Sequence, residues 1–348
     1  MTLARDLDTP AVLIDIPTML RNIEHMQGYC DRHGITFRPH IKTHKSPEIA
    51  RIQREAGAVG IACQKLGEVE VFLDAGFDDI QLPFNIVGPQ KTARLASLSK
   101  RGRITVSADH SDVLDGLEAA AADAGVRIRV MPDLETEIER TGAAPEQVVA
   151  LAQRIVASPH LEFAGLFLYP ANPVIRPRLQ EALKRLDDAG IEVPEVSGGG
   201  TSASRTAHEV PEMTELRVGT YIFNDMNVVT SGGATLDDCA MSVLATVVSR
   251  PTADRAILDS GSKTLAADRV NDGHGHIREY PEARIYKLNE EHGFVDLSDC
   301  ERRPRIGEQV HVVPVHTCVV SNLHFQLHGV RDGVVEQEWP VAARGLVR

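Results

Sequence analysis

Two rhythms of apolar and polar positions divide this chain. Through residue 226, short apolar runs with strand character alternate with stretches of helical spacing. An opening run, Ala11-Val12-Leu13-Ile14-Asp15-Ile16, leads into a helical pattern through Met19, Ile23 and Met26. The pattern then predicts strands at 35–39, 59–63, 80–84, 103–107, 126–131, 163–169, 193–197 and 216–223. Amphipathic helices are predicted between them, for example at 47–56, 66–75, 112–124 and 145–157. Gly57, Gly76, Gly125 and Gly190 stand where helix C-caps belong. Eight strands alternating with helices over about 200 residues is the count for a closed (β/α)8 TIM-like barrel. An open doubly wound sheet is the competing architecture, and it usually has fewer strands.

From residue 227 the helical spacing fades. Short β-rich runs at 243–248, 255–258, 294–297, 309–313 and 334–336, separated by turn signals, predict a mostly antiparallel β domain. The expected organisation is a barrel over 17–226 followed by a β domain over 227–348, which strand 9–16 is expected to join.

Composition narrows the partners. The chain has 348 residues, enough for one large or two ordinary domains. With 43% apolar and 25% charged residues it has an ordinary soluble composition. A formal net charge of -12 argues against nucleic acid or an anionic membrane as the main partner. No apolar run approaches the roughly 20 residues needed to span a bilayer, and no basic segment followed by an apolar signal core opens the chain. Cys30, Cys63, Cys239, Cys300 and Cys318 are scattered with no CxxC pair. That usage fits a reducing cytoplasm, with thiols serving packing or chemistry rather than cross-links.

Against the acidic background one basic stretch stands out: Arg38-Pro39-His40-Ile41-Lys42-Thr43-His44-Lys45-Ser46-Pro47. It follows the first barrel strand and ends in a helix opened by Ser at the N-cap and Pro at the first helical position. Ligands of α/β folds bind at that end of the strands. A lysine crowded by other cations loses proton affinity and becomes a better amine nucleophile towards a carbonyl. The bland alternative is a basic surface loop or a general phosphate patch.

Two further places carry chemistry. The seventh strand runs into Ser197-Gly198-Gly199-Gly200-Thr201-Ser202, and the eighth carries Arg217-Val218-Gly219-Thr220-Tyr221. Loops after strands seven and eight are the recurrent phosphate site of this barrel, with Gly200, Thr201, Gly219 and Thr220 as candidate donors. In the β domain, His316 and Cys318 are two apart, and on a strand they would share a face. Imidazole and thiolate together suit zinc, although most such pairs are simply packed. Gln64 and Tyr169 fall at strand ends, as candidates for ring contacts or as ordinary rim residues. His274-Gly275-His276 and Glu291-His292 read as solvated loops of the β domain, and neither these histidines nor Ser260 receive an assigned role.

The Pro-His-x-Lys-Thr-His-Lys motif resembles the D-threonine aldolase and D-serine dehydratase family, pyridoxal-phosphate enzymes of the alanine-racemase-like fold type. Thr9-Pro10-Ala11, the stretch 215–225 and Glu290-Glu291-His292-Gly293 resemble further family landmarks, so the likeness covers nearly the whole chain. It implies that Lys42 carries the cofactor as a Schiff base and that Gly219-Thr220 meets its phosphate. It implies that Arg140, in Arg140-Thr141-Gly142, faces the cofactor's phenolic oxygen, although Met131-Pro132-Asp133-Leu134 departs from the family pattern there. It makes His316 and Cys318 a divalent-metal pair, zinc or manganese with magnesium as a third choice, followed by Asn322. Cysteine at the second position is typical of the dehydratases and aspartate of well-known aldolases, whereas 219–225 and 289–293 look more like the bacterial aldolases. The expectation is a lyase that cleaves D-β-hydroxy-α-amino acids to glycine and an aldehyde. Dehydration of D-serine or D-3-hydroxyaspartate is the alternative, with a non-catalytic pyridoxal-phosphate carrier behind it. The resemblance also implies a homodimer.

Overall fold

In the computed structural model, residues 2–201 and 204–348 are described. Ser202, the last residue of the glycine-rich run after the seventh strand, lies outside them. The chain divides into two compact units. One comprises residues 27–42, 50–219 and 346–348; the other comprises residues up to 26, 43–49 and 220–345.

Strand β1 (Ala11–Asp15) and helix α1 (Ile16–His33) come first. The first unit is then built on β2 (Thr36–Phe37), β3 (Ile61–Ala62), β4 (Asp79–Asn85), β5 (Arg103–Ala108) and β6 (Ile128–Leu134), followed by β7 (Leu161–Phe163), β8 (Leu166–Leu168), β9 (Val196–Gly199) and β10 (Glu215–Arg217). All pair in parallel, in the order β2-β10-β9-β8-β6-β5-β4-β3, with β7 also on β6. A parallel bridge from His40 to Ala62 joins the two ends of that order and closes the barrel. β7 and β8 share one position, so the ring has the eight positions the apolar pattern predicts.

Helices α2 (Pro47–Glu55), α3 (Leu66–Asp74), α4 (Pro89–Leu98), α5 (Ser111–Ala124), α6 (Pro145–Ala157) and α7 (Arg176–Asp188) fall between the strands. Gly57, Gly76, Gly125 and Gly190 take the positive φ that ends a helix. One strand is corrected. The eighth was expected over 216–223 but stops at Arg217. The Thr220 carbonyl accepts the amides of Phe223 at 3.1 Å and Asn224 at 2.7 Å, which tightens the chain into a 3₁₀ turn instead.

The barrel's interior is polar. Gln81 and Ser197 lie on β4 and β9, which are not neighbours in the sheet, yet Ser197 Oγ donates to Gln81 Oε1 at 3.2 Å. Contacts of that kind cross the interior. Arg38 donates to Glu215 at 2.8 Å and to Asp79 at 2.9 Å, and Gln81 Nε2 donates to Glu195 at 2.6 Å. Ser197 Oγ also approaches Glu215 Oε1 at 2.5 Å and accepts from Arg217. The alternate strand residues, such as Ile80, Leu82, Ile104, Val106 and Leu216, are buried apolar side chains.

The second unit is a twisted sheet of mostly antiparallel strands. Helix α8 (Met226–Thr230) leads to β11 (Met241–Thr252), β12 (Arg255–Leu258), helix α9 (Ser262–Leu265), β13 (His276–Ile277), β14 (Arg284–Leu288) and β15 (Gly293–Asp296). Strand β16 (Gln309–Val313), helix α10 (Thr317–Leu323), β17 (Gln326–Arg331) and β18 (Val334–Pro340) complete it. The sheet order is β14-β15-β12-β11-β1-β17-β18, with β16 on β11 and β13 on β16. β1 is therefore central, antiparallel to β11 and parallel to β17, and the opening strand does join this sheet. Its burial explains its unbroken apolar run: Val12 and Ile14 are fully buried, as are Met241, Val243 and Leu244 on β11.

Candidate active site

The barrel's C-terminal rim receives most of the residues singled out in the sequence. Lys42 stands in a 3₁₀ turn (Ile41–Thr43) just past β2, with its side chain half-buried. His40 is fixed beside it. Its Nε2 donates to Gln64 Oε1 at 2.9 Å, and its Nδ1 accepts the Lys42 amide at 3.4 Å, so the tautomer is set by these partners. Gln64 is held in turn by its own amide, which donates to Glu68 at 2.6 Å. Gln64 is thus a rim residue tied to the lysine motif through His40.

The cations around Lys42 have commitments of their own. Arg38 turns into the barrel, where Glu215 and Asp79 compensate its charge. Inside the other unit, Lys45 donates to Asn322 at 2.8 Å. The crowding expected from the sequence is reduced accordingly, because Arg38 is neutralised locally.

Across the rim, the Arg140 guanidinium lies 4.5 Å from the centre of the Tyr169 ring, so the structure brings these two predicted residues together. The Tyr169 carbonyl accepts from Thr136 at 2.6 Å. Close by in sequence, Asp133 is half-buried, and the loss of hydration pushes its carboxyl up to about 6; Thr141 donates to it at 2.8 Å and works the other way. The glycine loop after β9 runs tight against β10. A Cβ on Gly199 would lie 3.1 Å from the Arg217 carbonyl and 3.2 Å from the Tyr169 ring. Gly200 donates its amide to that carbonyl at 3.1 Å, at a φ of +113°. Its amide is therefore spent on the sheet, at a φ that a turn requires. Thr201, half-buried, follows it, and Gly219-Thr220 stands where β10 gives way to the 3₁₀ turn.

An amine, an aromatic ring under a guanidinium, and glycine-bearing loops after the last two strands, all on one rim, fit a phosphate-bearing aromatic aldehyde. Beneath them Arg217 is fully buried over the Phe167 ring at 4.5 Å. Burial lowers its proton affinity, while Glu215 and Asp133 support its charge. The sequence reading missed this interior set. The signal was there, since Glu215 and Arg217 are two apart on one strand and so face the same way.

In the second unit the metal candidates are together, but not on a strand. Pro314 follows the last residue of β16, and His316 caps helix α10 with Cys318 in its first turn. The cause is Asp225. One carboxylate oxygen accepts the Thr317 amide at 3.1 Å and hydroxyl at 3.3 Å; the other accepts the Val228 amide at 3.1 Å. The helix start is thereby pinned to the turn that follows β10. His316 and Cys318 are hydrogen-bonded to each other, which pushes the imidazole up to about 9, with Asp225 and Asp268 adding to the effect. Cys318 Sγ also lies 3.2 Å from Thr43 Oγ1 and 3.8 Å from Thr220 Oγ1. The Thr220 hydroxyl thus faces this sulfur.

An imidazole and a thiol sharing a proton suit a divalent ion that replaces it. Cys318 also differs from the other four cysteines, which are buried and whose thiols are raised by that burial. Among the described residues no cluster of three His, Cys, Asp or Glu side chains closes to metal-binding distance, so two protein donors are what the site offers. His274, read in the sequence as part of a solvated loop, is instead buried. His292 is exposed in the turn between β14 and β15.

A closed barrel with a lysine after its first strand and glycine loops after its last two, continued by an antiparallel sheet, defines a pyridoxal-phosphate enzyme of the alanine-racemase-like fold type. The family profile described as "Alanine racemase, N-terminal domain" matches residues 14–226, and "Putative serine dehydratase domain" matches residues 240–330. The chain is 35% identical to D-threonine aldolase of an Arthrobacter species, over 98% of this chain and 94% of that one. The crystal structure of D-threonine aldolase from Filomicrobium marinum superimposes with a TM-score of 0.90 at 31% identity, covering 100% of this chain and 99% of that one. A D-threo-3-hydroxyaspartate dehydratase with a cysteine replaced by alanine, in a metal-free form, gives 0.89 at 27% identity, covering 98% and 99%. The chain belongs to the D-threonine aldolase and D-serine dehydratase family, and it is a pyridoxal-phosphate-dependent lyase.

Proposed function

We propose that this lyase is a metal-dependent aldolase of the D-threonine aldolase type, cleaving D-β-hydroxy-α-amino acids to glycine and an aldehyde. The observation that carries the reading is the His316–Cys318 pair at the start of α10, in a chain 35% identical to a D-threonine aldolase over almost its whole length. In this reading the barrel, 17–226, holds the cofactor, and the domain of 227–348 with strand 9–16 holds the metal.

Lys42 would hold pyridoxal phosphate covalently. Thr201 and Gly219-Thr220 would take its phosphate, with Gly200 shaping the turn. Arg140 with Tyr169, and Gln64 through His40, would border its ring. Bound there, the cofactor supplies an electron sink for the pair left at Cα when a bond to that carbon breaks. His316 and Cys318 would hold a zinc or manganese ion, or magnesium as a third choice, which would supply Lewis-acid chemistry towards the β-hydroxyl. The Lys42 amine is the group that would carry a proton to or from Cα. The hydroxyls of Thr43 and Thr220 support the Cys318 sulfur.

Dehydration of D-serine or D-3-hydroxyaspartate is the second reading, and Cys318 favours it, since the dehydratases resemble this chain at that position. The two outcomes differ in which bond at Cβ breaks, Cα–Cβ or Cβ–O. Metal-loaded holoenzyme incubated with D-threonine should yield glycine and acetaldehyde. A yield of 2-oxobutyrate and ammonia would replace the aldolase by the dehydratase, and no product from D-threonine, D-serine or D-3-hydroxyaspartate would end both readings.

We also propose a homodimer in a reducing cytoplasm. The support is an exposed Phe325, 77% accessible just past helix α10, and five cysteines none of which forms a disulfide among the described residues. Light scattering on the purified protein tests the dimer.

A further inference from the structure

The segment between α9 and β13 is constrained beyond what a connection needs. Ala266, Asn271 and Asp272 have φ of +63°, +47° and +60°; Asn and Asp enter this left-handed region readily in turns, whereas at Ala266 the surroundings must enforce it. Val270 and Gly273 exchange both backbone hydrogen bonds, at 3.0 and 2.9 Å, and close the loop on itself. Its base is held by His274. The His274 amide donates to Ile285 at 3.0 Å, and its Nδ1 donates to the Asp268 carbonyl at 2.9 Å. The result is a fixed backbone at Asp268, whose carboxylate oxygen stands 3.5 Å from His316 Nδ1.

We infer that Asp268 is a positioning residue for the metal centre on His316 and Cys318, orienting the imidazole through Nδ1 so that its other nitrogen is presented to the ion. The inference rests on the metal reading above. A ligating histidine usually gives its second nitrogen to a carboxylate or carbonyl, which fixes ring and tautomer and raises its basicity as a donor. Two carboxylates flank His316, and only one is suited to this. Asp225 has both oxygens engaged by Thr317 and Val228. Asp268 acts through the imidazole rather than as a third ligand, since no three-donor cluster forms among the described residues. The competing view is a partly exposed ion pair without consequence, as many such pairs are.

The test is metal affinity, which needs no turnover. Cofactor-loaded protein, stripped of metal by chelation, is titrated with zinc and with manganese against a chromogenic chelator, as wild type, Asp268→Asn, Asp268→Ala and His316→Ala. Both Asp268 variants should bind about 10–100-fold more weakly, with unchanged visible absorbance and melting temperature. Asparagine keeps the shape and loses the charge, so an equal loss in Asp268→Asn separates orientation by the carboxylate from packing. Affinity within twofold of wild type in both Asp268 variants, beside a loss in His316→Ala, overturns this inference and leaves the metal site standing. Wild-type affinity in His316→Ala overturns the metal site and the inference with it.

Discussion

Lys45 Nζ donates to Asn322 Oδ1 at 2.8 Å, and the same oxygen accepts the Gly345 amide at 2.9 Å. The Lys45 carbonyl accepts the Ala343 amide at 3.1 Å, and the residue sits buried at a φ of +53°. These are the marks of a structural lysine. Of the two lysines in the motif, Lys42 is therefore the one proposed for covalent chemistry. Lys42→Ala should abolish borohydride-trappable cofactor and visible absorption. Lys45→Ala should retain both while losing about 1–3 kcal/mol of stability, because a charged hydrogen bond is removed from a buried setting. Trapping followed by peptide mass spectrometry reads the first effect and urea unfolding the second. Cofactor trapped on residue 45 would reverse the assignment.

Gly60 is predicted to be indispensable for a reason unrelated to turn geometry. A Cβ there would meet Arg38 Nη1 at 2.1 Å and the Asp79 carbonyl at 2.7 Å. Arg38 cannot swing aside, since it is 4% exposed and bonded to Glu215 and Asp79. Gly60→Ala should therefore cost about 3 kcal/mol or more, the scale of a disrupted buried ion pair. A urea midpoint within error of wild type would mean that the Arg38 network can be rearranged cheaply.

The barrel was legible because its strands are buried on the helix-facing side and bounded by glycines, so the alternation of strand and helix survives in the sequence. The central place of β1 in the second sheet was legible from an unbroken apolar run, Ala11 to Ile14. Two things were not. The polar interior was hidden because the strand signal is carried by apolar residues such as Leu216, whereas the interior-facing Glu215 and Arg217 that alternate with them look like ordinary solvated positions. The helix at His316 was hidden because Val315-His316-Thr317-Cys318 alternates like a strand, whereas Asp225, far away in sequence, accepts the Thr317 amide at the start of a helix. Long-range caps of this kind leave no local signal. Asp268 was likewise missed, because the hydrogen bond from His274 Nδ1 that fixes its backbone leaves no local signal.

The barrel interior should give the protein a recognisable pH dependence. The Glu195 carboxyl is raised from 4.5 to about 7, first by burial and then by the charge of Glu215. Between those values the folded form keeps a proton that the unfolded chain has lost. Unfolding releases it, so this group's contribution to stability falls as pH rises through that window. Glu195→Gln keeps an acceptor for Gln81, which donates to Glu195 at 2.6 Å, and removes the titration. The variant should gain on wild type progressively from pH 4.5 to 7 and hold a constant advantage above. Thermal melts at pH 5, 6, 7 and 8 measure the difference, and a gap that does not change with pH would contradict it.

The proposed metal should separate catalysis from cofactor binding. His316 and Cys318 sit at the start of α10, whereas the residues that would hold the cofactor, from Lys42 to Thr220, come from other elements. Chelation should therefore stop turnover of D-threonine while the visible absorbance of the bound cofactor stays. A Lewis acid on the β-oxygen contributes several kcal/mol at the transition state. His316→Ala should accordingly lower kcat at least about 100-fold, each tenfold being about 1.4 kcal/mol. Cys318→Asp exchanges a soft donor for a hard one, so it should keep a site but shift its preference from zinc towards manganese or magnesium. Activity measured after chelation and re-addition of each ion gives that order of preference. Full turnover in His316→Ala after exhaustive chelation would remove the metal from the mechanism, and with it the argument that the substrate carries a β-hydroxyl.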